Sequence, residues 1–419
     1  MLPSWIKGFL AYCNETVAPI HYLEWSAAHA IAAALQRKAW VTYNGERLYS
    51  NLFILLVGPP RIGKSTAIKR VRRPMEKVKD IKIAADSVTK EQLYVAMEKV
   101  SNSLAHVDLP SIPGLYNHAS YNITNTEFGV MLSKEDKQFM LALCKMYDCE
   151  DTFRHEIKTG DSSHIENVFL NMIGAATLVG LRDILPEAAF QTGFAARLNL
   201  VYASEKRGAH KPTLGEDPEE KMTEDSGDAE LSKALRRDLN SVHKLSGPFA
   251  FAPEARAAFF SWLESGMHPK VTHMQFASYN DARDIHLLKL AMVHSAAVSN
   301  DMIITMQNFL DAKDMLERNE ALMPQAITYV GANEQQAYIE EALRFIATEY
   351  VRRGMKPVPA YLVRQQISPR IPVQFIRYVM NEIGYQGLAE IIGEPPHHAF
   401  KPKSALVLEA EHKETGGGQ

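Results

Sequence analysis

The stretch FILLVGPPRIGKSTAI, residues 53–68, passes from an unbroken apolar run into glycines, then a lysine and two hydroxyl side chains. The segment NLFILLVG is apolar at successive positions, which is typical of a central strand buried on both faces. Residues 58–65 fit the pattern G-x-x-x-x-G-K-[ST] at every fixed position. Backbone N–H groups of such a loop surround phosphate oxygens, and the positive end of the next helix points at the same anion. The sequence therefore predicts a phosphate-binding loop, and the alternative is a glycine turn without a ligand.

This loop predicts an ATP site with Mg²⁺. We expect Lys64 to reach the β and γ phosphates and to have a catalytic role, and Ser65 to ligate the metal. The predicted nucleotide-binding residues of the loop and the first helical turn are Gly58, Pro59, Pro60, Arg61, Ile62, Gly63, Lys64, Ser65 and Thr66.

Composition restricts the class of protein. A chain of 419 residues predicts two or three structural units, and 46% hydrophobic with 23% charged residues is ordinary for a soluble globular protein. The net charge of −3 does not decide whether nucleic acid is a partner, because a local basic surface can lie on a neutral whole.

The cysteines and the apolar segments predict a cellular location. Three cysteines, Cys13, Cys144 and Cys149, are too few for a disulfide framework and match no common metal spacing. We expect residues 1–19 to form an amphipathic helix rather than an export signal, and no apolar segment is long enough to span a membrane. These features indicate a bacterial cytoplasmic protein with no membrane partner.

Two strand ends offer candidate groups for hydrolysis. Glu127 ends the strand SYNITNTEF and is the candidate for polarising the attacking water, although Asn125 and Thr126 stand where an aspartate usually ligates the metal. Thr177 ends the strand FLNMIGAAT, where a polar side chain can contact the γ phosphate. The alternatives are a solvent-facing glutamate and an ordinary buried strand-end threonine.

Arg197 is the third catalytic candidate. It immediately precedes an apolar strand in GFAARLNLVY. A guanidinium fixed there can point into the nucleotide site of a neighbouring subunit and stabilise charge during phosphoryl transfer. The alternative is a surface arginine that caps the preceding helix.

With these motifs in order, the chain resembles a family of phage and prophage P-loop proteins described as replicative helicases or primase-helicase-like proteins. The similarity covers roughly residues 18–205 and includes YSNLFILLVGPPRIGKST, DSVTKEQL, TEFGVML and GFAARLNLVY. The order of parts is also similar to AAA+ helicases of the minichromosome maintenance type. That resemblance implies a ring, commonly a hexamer, which moves along nucleic acid, with phage or host replication proteins as further partners.

The resemblance also assigns roles outside the loop. The segment ARDIHLLKLAMVHSAAVSND is similar to the lid segment that bears a second sensor, which implies that Lys289 or Arg283 lies near phosphate. The hairpin FRHEIKTGDSS is the candidate DNA contact through Arg154, His155 and Lys158, by backbone phosphates of a single strand and without base readout. The alternative is an ordinary polar hairpin, since its acidic residues dilute the positive charge.

The predicted fold class is α/β. We expect a P-loop NTPase (AAA+-like) core with a parallel sheet, a helical lid and a C-terminal winged-helix-like domain. The expected division is an N-terminal helical segment at 1–50, the ATPase core at 51–206, a flexible acidic linker at 207–228, the lid at 229–332, the winged-helix-like domain at 333–400 and a disordered tail at 401–419.

These features predict an ATP-dependent, ring-forming motor on DNA, with a phage or mobile-element replicative helicase as its class. The alternative is an ATP-switched replication initiator or helicase loader without unwinding activity. A small-molecule kinase is disfavoured, because over half of the chain lies in a lid and a winged-helix-like unit that a kinase does not require.

Overall fold

The structure is a computed structural model in two compact units, residues 1–330 and residues 331–419. The first unit contains the candidate phosphate loop, and the second contains the segment predicted as winged-helix-like. The described residues are 1–85, 89–105, 117–126, 128–130, 132, 136–155, 162–208, 227–272, 274–327, 334–368, 376, 379–381, 383, 389–393 and 398–402.

The first unit mixes helices and strands throughout. Its helices are α1 (Trp5–Tyr12), α2 (Ile20–Leu35), α3 (Lys64–Glu76), α4 (Lys90–Ala105), α5 (Lys137–Tyr147), α6 (Leu178–Ile184), α7 (Glu187–Gln191), α8 (Gly227–His243), α9 (Pro253–Glu264), α10 (Ala277–Asp281), α11 (Arg283–Val298), α12 (Met306–Glu320) and α13 (Met323–Ile327). Its strands are β1 (Ala39–Tyr43), β2 (Glu46–Tyr49), β3 (Phe53–Val57), β4 (Ala119–Asn125), β5 (Thr152–His155), β6 (Ser163–Glu166), β7 (Val168–Ala176), β8 (Leu198–Tyr202), β9 (Gly247–Pro248), β10 (Ala250–Phe251) and β11 (Ile303–Ile304). The protein is of the mixed α/β class.

Four parallel strands form the central sheet in the order β4-β7-β3-β8. The strand β3 lies inside the sheet, since Val57 pairs in register with Ala176 of β7 and with Tyr202 of β8. The sequence predicts a strand at each of these four places, and the structure confirms all four.

Alternating side chains of β3 explain its unbroken apolar sequence. Ile54 and Leu56 belong to a core that also contains residues of α1, α2, α3 and α8, whereas Phe53, Leu55 and Val57 belong to the core on the opposite face. Every residue of β3 is buried. A parallel strand covered on both faces requires apolar residues at successive positions.

The alanine-rich segment IHYLEWSAAHAIAAAL forms the buried helix α2. All but three of its residues are buried, because alanine side chains allow close packing against the sheet and against α3 and α8. Within the described ranges, no helix combines the length and the apolar character that a bilayer-crossing helix needs.

Two local sequence patterns outside the loop have the structure that they indicate. The hairpin β1–β2 pairs Tyr43 with Glu46, and its turn residues Asn44 and Gly45 have φ angles of 51° and 86°, which a two-residue hairpin turn requires. At the start of α4, the Thr89 amide donates to Gln92 Oε1 at 3.2 Å and the Gln92 amide donates to Thr89 Oγ1 at 3.3 Å. This is the reciprocal capping box that the sequence indicates.

The segment predicted as a lid, 229–332, is mostly helical in its described part but belongs to the first unit. Leu239 of α8 and Leu290 of α11 share one core with α1 and α2, and β9 pairs with β1 in parallel. Most of the predicted linker 207–228 and most of the predicted tail 401–419 lie outside the described residues.

The second unit consists of α14 (Glu334–Arg352), β12 (Val358–Pro359), α15 (Ala360–Ile367), β13 (Ala389–Ile392) and β14 (Ala399–Pro402). Its strands form an antiparallel sheet in the order β12-β14-β13. Ile339, Val363 and Phe400 contribute to its core. The described residues between 376 and 383 are helical.

Candidate nucleotide-binding site

The candidate phosphate loop, residues 58–63, connects the carboxyl end of β3 to the first residue of α3. Arg61 and Gly63 have positive φ angles of 61° and 105°. Left-handed residues in a short loop allow successive backbone N–H groups to face one concave side, which suits an anion. The helix that follows has 13 residues, so its positive end adds to the attraction of negative charge.

Close packing explains both fixed glycines of the motif. A Cβ atom at Gly63 would lie 2.7 Å from the Ala18 Cα, and a Cβ at Gly58 would lie 2.4 Å from the Ala203 carbonyl oxygen. Any larger residue at either position would therefore move the backbone on which the loop rests. The loop is held by the chain before α2 on one side and by the chain after β8 on the other.

Tyr22 of α2 supports the loop from below. Its buried hydroxyl donates to the Val57 carbonyl oxygen at 2.6 Å, at the last residue of β3. The Tyr22 hydroxyl oxygen would lie 2.5 Å from a Cβ at Gly58. Sequence reasoning did not identify Tyr22 or Ala18 as part of the site, because contacts between distant segments leave no local pattern.

Lys64 is held inside the loop by its own backbone. The ammonium donates to the Gly58 carbonyl oxygen at 2.6 Å and to the Pro59 carbonyl oxygen at 2.7 Å. Burial lowers the pKa of Lys64 to about 8, because removal from water disfavours the charged ammonium. A bound phosphate would give this ammonium an anionic partner, which its two carbonyl contacts do not provide.

The hydroxyl groups of Ser65 and Thr66 fit a metal ion that is also bound by phosphate oxygens of the ligand. Ser65 is exposed and Thr66 is half-buried in the first turn of α3. In the part of the chain that the structure describes, no cluster of three His, Cys, Asp or Glu side chains is arranged to hold a metal ion. These residues suit Mg²⁺ bound by one hydroxyl, water and phosphate oxygens, which is how this ion usually binds beside nucleotides.

Two further strand ends lie at the same edge of the sheet as the loop. Thr177 directly follows β7, which neighbours β3, and its hydroxyl accepts the Gly180 amide at 3.0 Å as the N-cap of α6. Its hydroxyl hydrogen is still available to a ligand oxygen. Asn125 ends β4, one strand farther out. Glu127, the candidate for water activation, lies outside the described residues.

Arg197 lies at the opposite edge of the sheet, before the first residue of β8. Its guanidinium donates to both carboxylate oxygens of Asp148, at 3.0 and 2.6 Å, and to the Gly193 carbonyl oxygen at 3.1 Å. The five residues of β8 span about 16 Å. Arg197 therefore does not reach the loop of its own chain.

The expected contact between Lys289 and phosphate needs correction. The Lys289 ammonium is buried, donates to Asn51 Oδ1 at 2.7 Å, and lies 3.6 Å from the centre of the Tyr147 ring. Asn51 precedes β3, so this lysine lies below the amino edge of the sheet, far from the loop at the carboxyl edge. Burial lowers the pKa of Lys289 to about 8.

Arg283, the other residue that the resemblance places near phosphate, is also engaged elsewhere. It donates to the two carboxylate oxygens of Glu320 at 2.7 and 2.6 Å, and both side chains are buried. The physical reason is the same for both cations: α11 is packed inside the first unit, so its basic side chains need buried partners.

The predicted DNA hairpin is the pair β5–β6, and the candidate residues Arg154 and His155 are adjacent on β5, so their side chains point to opposite faces. Arg154 is exposed and lies opposite His164 in register. His155 is half-buried, with its ring 4.7 Å from the Tyr94 ring. Lys158 lies outside the described residues. The face that carries Arg154 therefore also carries His164, which the sequence did not single out.

The carboxyl edge of the sheet brings together the loop, Lys64, Ser65 and Thr177, whereas Arg197 and Lys289 lie toward the amino edge. The chain matches no family model, and no curated protein matches it. The interpretation of this site therefore depends on its residues and their geometry.

Proposed function

We propose that the protein is an ATP-hydrolysing motor that works on DNA as a ring of identical subunits, in the class of phage or mobile-element replicative helicases. One observation carries the proposal: a loop with left-handed residues and a buried lysine follows the central strand of a parallel sheet and begins a helix. In open parallel sheets, ligands bind outside the carboxyl ends of the strands.

Each part of the loop has a place in ATP cleavage. The backbone amides and the α3 terminus bind the phosphates, and Lys64 leaves the loop carbonyls to neutralise charge on the β and γ oxygens. Ser65 would hold Mg²⁺, Glu127 would orient the attacking water, and Thr177 would contact the γ phosphate. These groups act by position and by charge, which supply most of the catalysis in phosphoryl transfer.

The position of Arg197 supports a ring. A side chain at the far edge of the sheet contributes to hydrolysis only in a neighbouring subunit, where it faces the loop of another copy. In the isolated chain, Nε and Nη2 of the Arg197 guanidinium donate to the two carboxylate oxygens of Asp148. In the proposed ring, the guanidinium instead binds the phosphate of the nucleotide in the next subunit, or binds that phosphate and Asp148 together.

Two regions are proposed to meet DNA. The exposed Arg154 on the β5–β6 hairpin contacts backbone phosphates. The second unit has the order helix, strand, helix, helical residues and antiparallel hairpin, which supports a winged-helix module. Arg364 on α15 is exposed and suits a phosphate contact.

The test of the nucleotide site is the variant Lys64→Ala. We expect its rate of phosphate release from ATP to fall by at least about a hundredfold, because the charge-neutralising ammonium is lost. Thermal unfolding should stay close to that of the wild type, since the ammonium donates to carbonyl oxygens of the loop itself.

The matched control is Lys69→Ala, which removes an exposed lysine from the same helix and should leave hydrolysis unchanged. Equal rates for Lys64→Ala and the wild type would reject the site. If the wild-type protein hydrolyses ATP but does not separate a forked DNA duplex, the motor hypothesis is rejected. The alternative of a helicase loader without unwinding activity then remains.

A further inference from the structure

A cleft of about 190 Å³ lies between the C-terminal half of α3 and the middle of α8. It is distinct from the phosphate loop, which lies at the other end of α3. The lining residues are Tyr12, Arg73, Pro74, Lys77, Ser232, Lys233 and Arg236. Four of these seven side chains carry a positive charge, in a protein whose net charge is −3.

Among the described residues, a carboxylate pairs with one of these four cations. Within the described residues, Arg73, Lys77 and Arg236 have no carboxylate within 4.0 Å, and all three are exposed. Lys233 pairs with Glu230 at 3.0 Å, where both side chains are largely exposed. Exposed pairs of this kind exchange readily with another anion, since they are worth little in water.

The nearby acidic side chains are occupied by other cations. Glu76 of α3 accepts Arg72 Nε at 2.6 Å, and Asp238 of α8 is buried against Arg237. The Arg70 guanidinium lies 5.6 Å from the centre of the Tyr12 ring at the edge of the cleft. Two helices from distant parts of the sequence thus bring cations together that repel one another unless an anion is present.

We propose that this cleft binds the phosphodiester backbone of a single-stranded nucleic acid. Arginine and lysine side chains on two walls suit phosphate oxygens, and the aromatic ring of Tyr12 provides a surface of the kind on which bases stack. The volume is below that of pockets that enclose small organic ligands, but it accommodates a phosphate group of a strand that passes across the surface.

This inference goes beyond the proposed function, because binding at the cleft requires no ATP cleavage. The cleft should therefore bind nucleic acid equally well in Lys64→Ala protein. If the cleft does not bind nucleic acid, the proposal for the ATP site still stands. If the loop does not bind ATP, the proposal for the cleft still stands.

The test is fluorescence anisotropy of a labelled oligothymidylate with the double variant Lys77→Gln/Arg236→Gln in the full chain. We expect about tenfold weaker binding at moderate salt. The slope of log K against log salt should become shallower by about 1.4, since each lost phosphate contact on a single strand accounts for about 0.7.

The matched control is Arg256→Gln/Lys270→Gln, two exposed cations that do not line the cleft. Both double variants change the net charge from −3 to −5, by the loss of two positive charges. If oligothymidylate binding weakens equally in the two double variants, the effect is one of net charge and the proposal of a binding cleft is overturned. No weakening in the cleft variant would also overturn it.

Lysine acetylation read by mass spectrometry gives a second measurement. The oligothymidylate should protect Lys77 and Lys233 in the wild-type chain and leave Lys270 reactive. Unchanged acetylation of Lys77 would contradict the proposal. Inorganic pyrophosphate at the same phosphate concentration should protect Lys77 much less, and equal protection would mean that the cleft takes free phosphate rather than a nucleic-acid strand.

Discussion

At the scale of single residues, the pKa of Lys64 predicts that the proposed nucleotide binding depends on pH. The free protein lowers this pKa to about 8, whereas a bound phosphate favours the charged form and raises it. Between these two values, binding requires uptake of a proton. We therefore expect affinity for ATP to fall as pH rises above about 8, approaching tenfold per pH unit.

Isothermal titration in two buffers of different ionisation enthalpy measures this proton uptake directly. The uptake should approach one proton at pH values above the free pKa and vanish near neutral pH, where Lys64 is already charged. Lys64→Arg provides the control, because a guanidinium stays charged throughout the range. Uptake that persists in Lys64→Arg, or its absence in the wild type, would contradict the assignment.

Lys64 and Lys289 show why single residues differ in how well the sequence predicts them. The role of Lys64 follows from a local pattern, since the loop and the helix that position it are adjacent in sequence. The position of Lys289 depends on which buried partner α11 meets, and Asn51 and Tyr147 lie more than a hundred residues away. No local pattern in α11 indicates those contacts.

At the scale of elements, α2 stabilises the end of β3 through one hydroxyl. Tyr22→Phe removes the hydrogen bond to the Val57 carbonyl oxygen, which the Ala203 amide still reaches at 3.2 Å. We expect a loss of about 1 kcal/mol in the free energy of unfolding, the usual net worth of a buried hydrogen bond. Urea denaturation followed by circular dichroism measures the change.

The control for this variant is Tyr361→Phe, which alters a tyrosine that is 67% exposed and should not change stability. If Tyr22→Phe unfolds at the same urea concentration as the wild type, α2 does not support the loop through this bond. A loss of several kcal/mol would mean that the hydroxyl has further buried partners.

Elements with a strong local signal agree with the sequence. The strands β3 and β7 are buried along their whole length and carry apolar runs, and the β1–β2 turn carries Asn44 and Gly45. The packing of α8 and α11 against α1 and α2 was not predicted, since apolar faces do not specify which helices they meet. That packing is why the segment predicted as a lid belongs to the first unit.

At the scale of the whole molecule, the two edges of the central sheet separate the groups to which the proposal assigns hydrolysis. The loop lies at the carboxyl edge, and Arg197 lies about 16 Å away at the amino edge of β8. In the proposed ring, one chain therefore supplies half of each catalytic site. We expect a heterologous interface, in which the amino edge of one copy faces the loop of the next, to complete the site and to close into the ring.

This arrangement predicts complementation between two inactive proteins. Arg197→Ala should bind ATP, because its loop is intact, but should not hydrolyse it; Lys64→Ala lacks the loop lysine but still supplies Arg197. In an equal mixture, sites that join an intact loop to an intact arginine should restore about a quarter of the wild-type rate per subunit, since neighbours are drawn at random. Phosphate release over a series of mixing ratios measures this, with maximum activity at equal amounts. A mixture that stays inactive, while native mass spectrometry shows mixed rings, would place Arg197 outside the catalytic site.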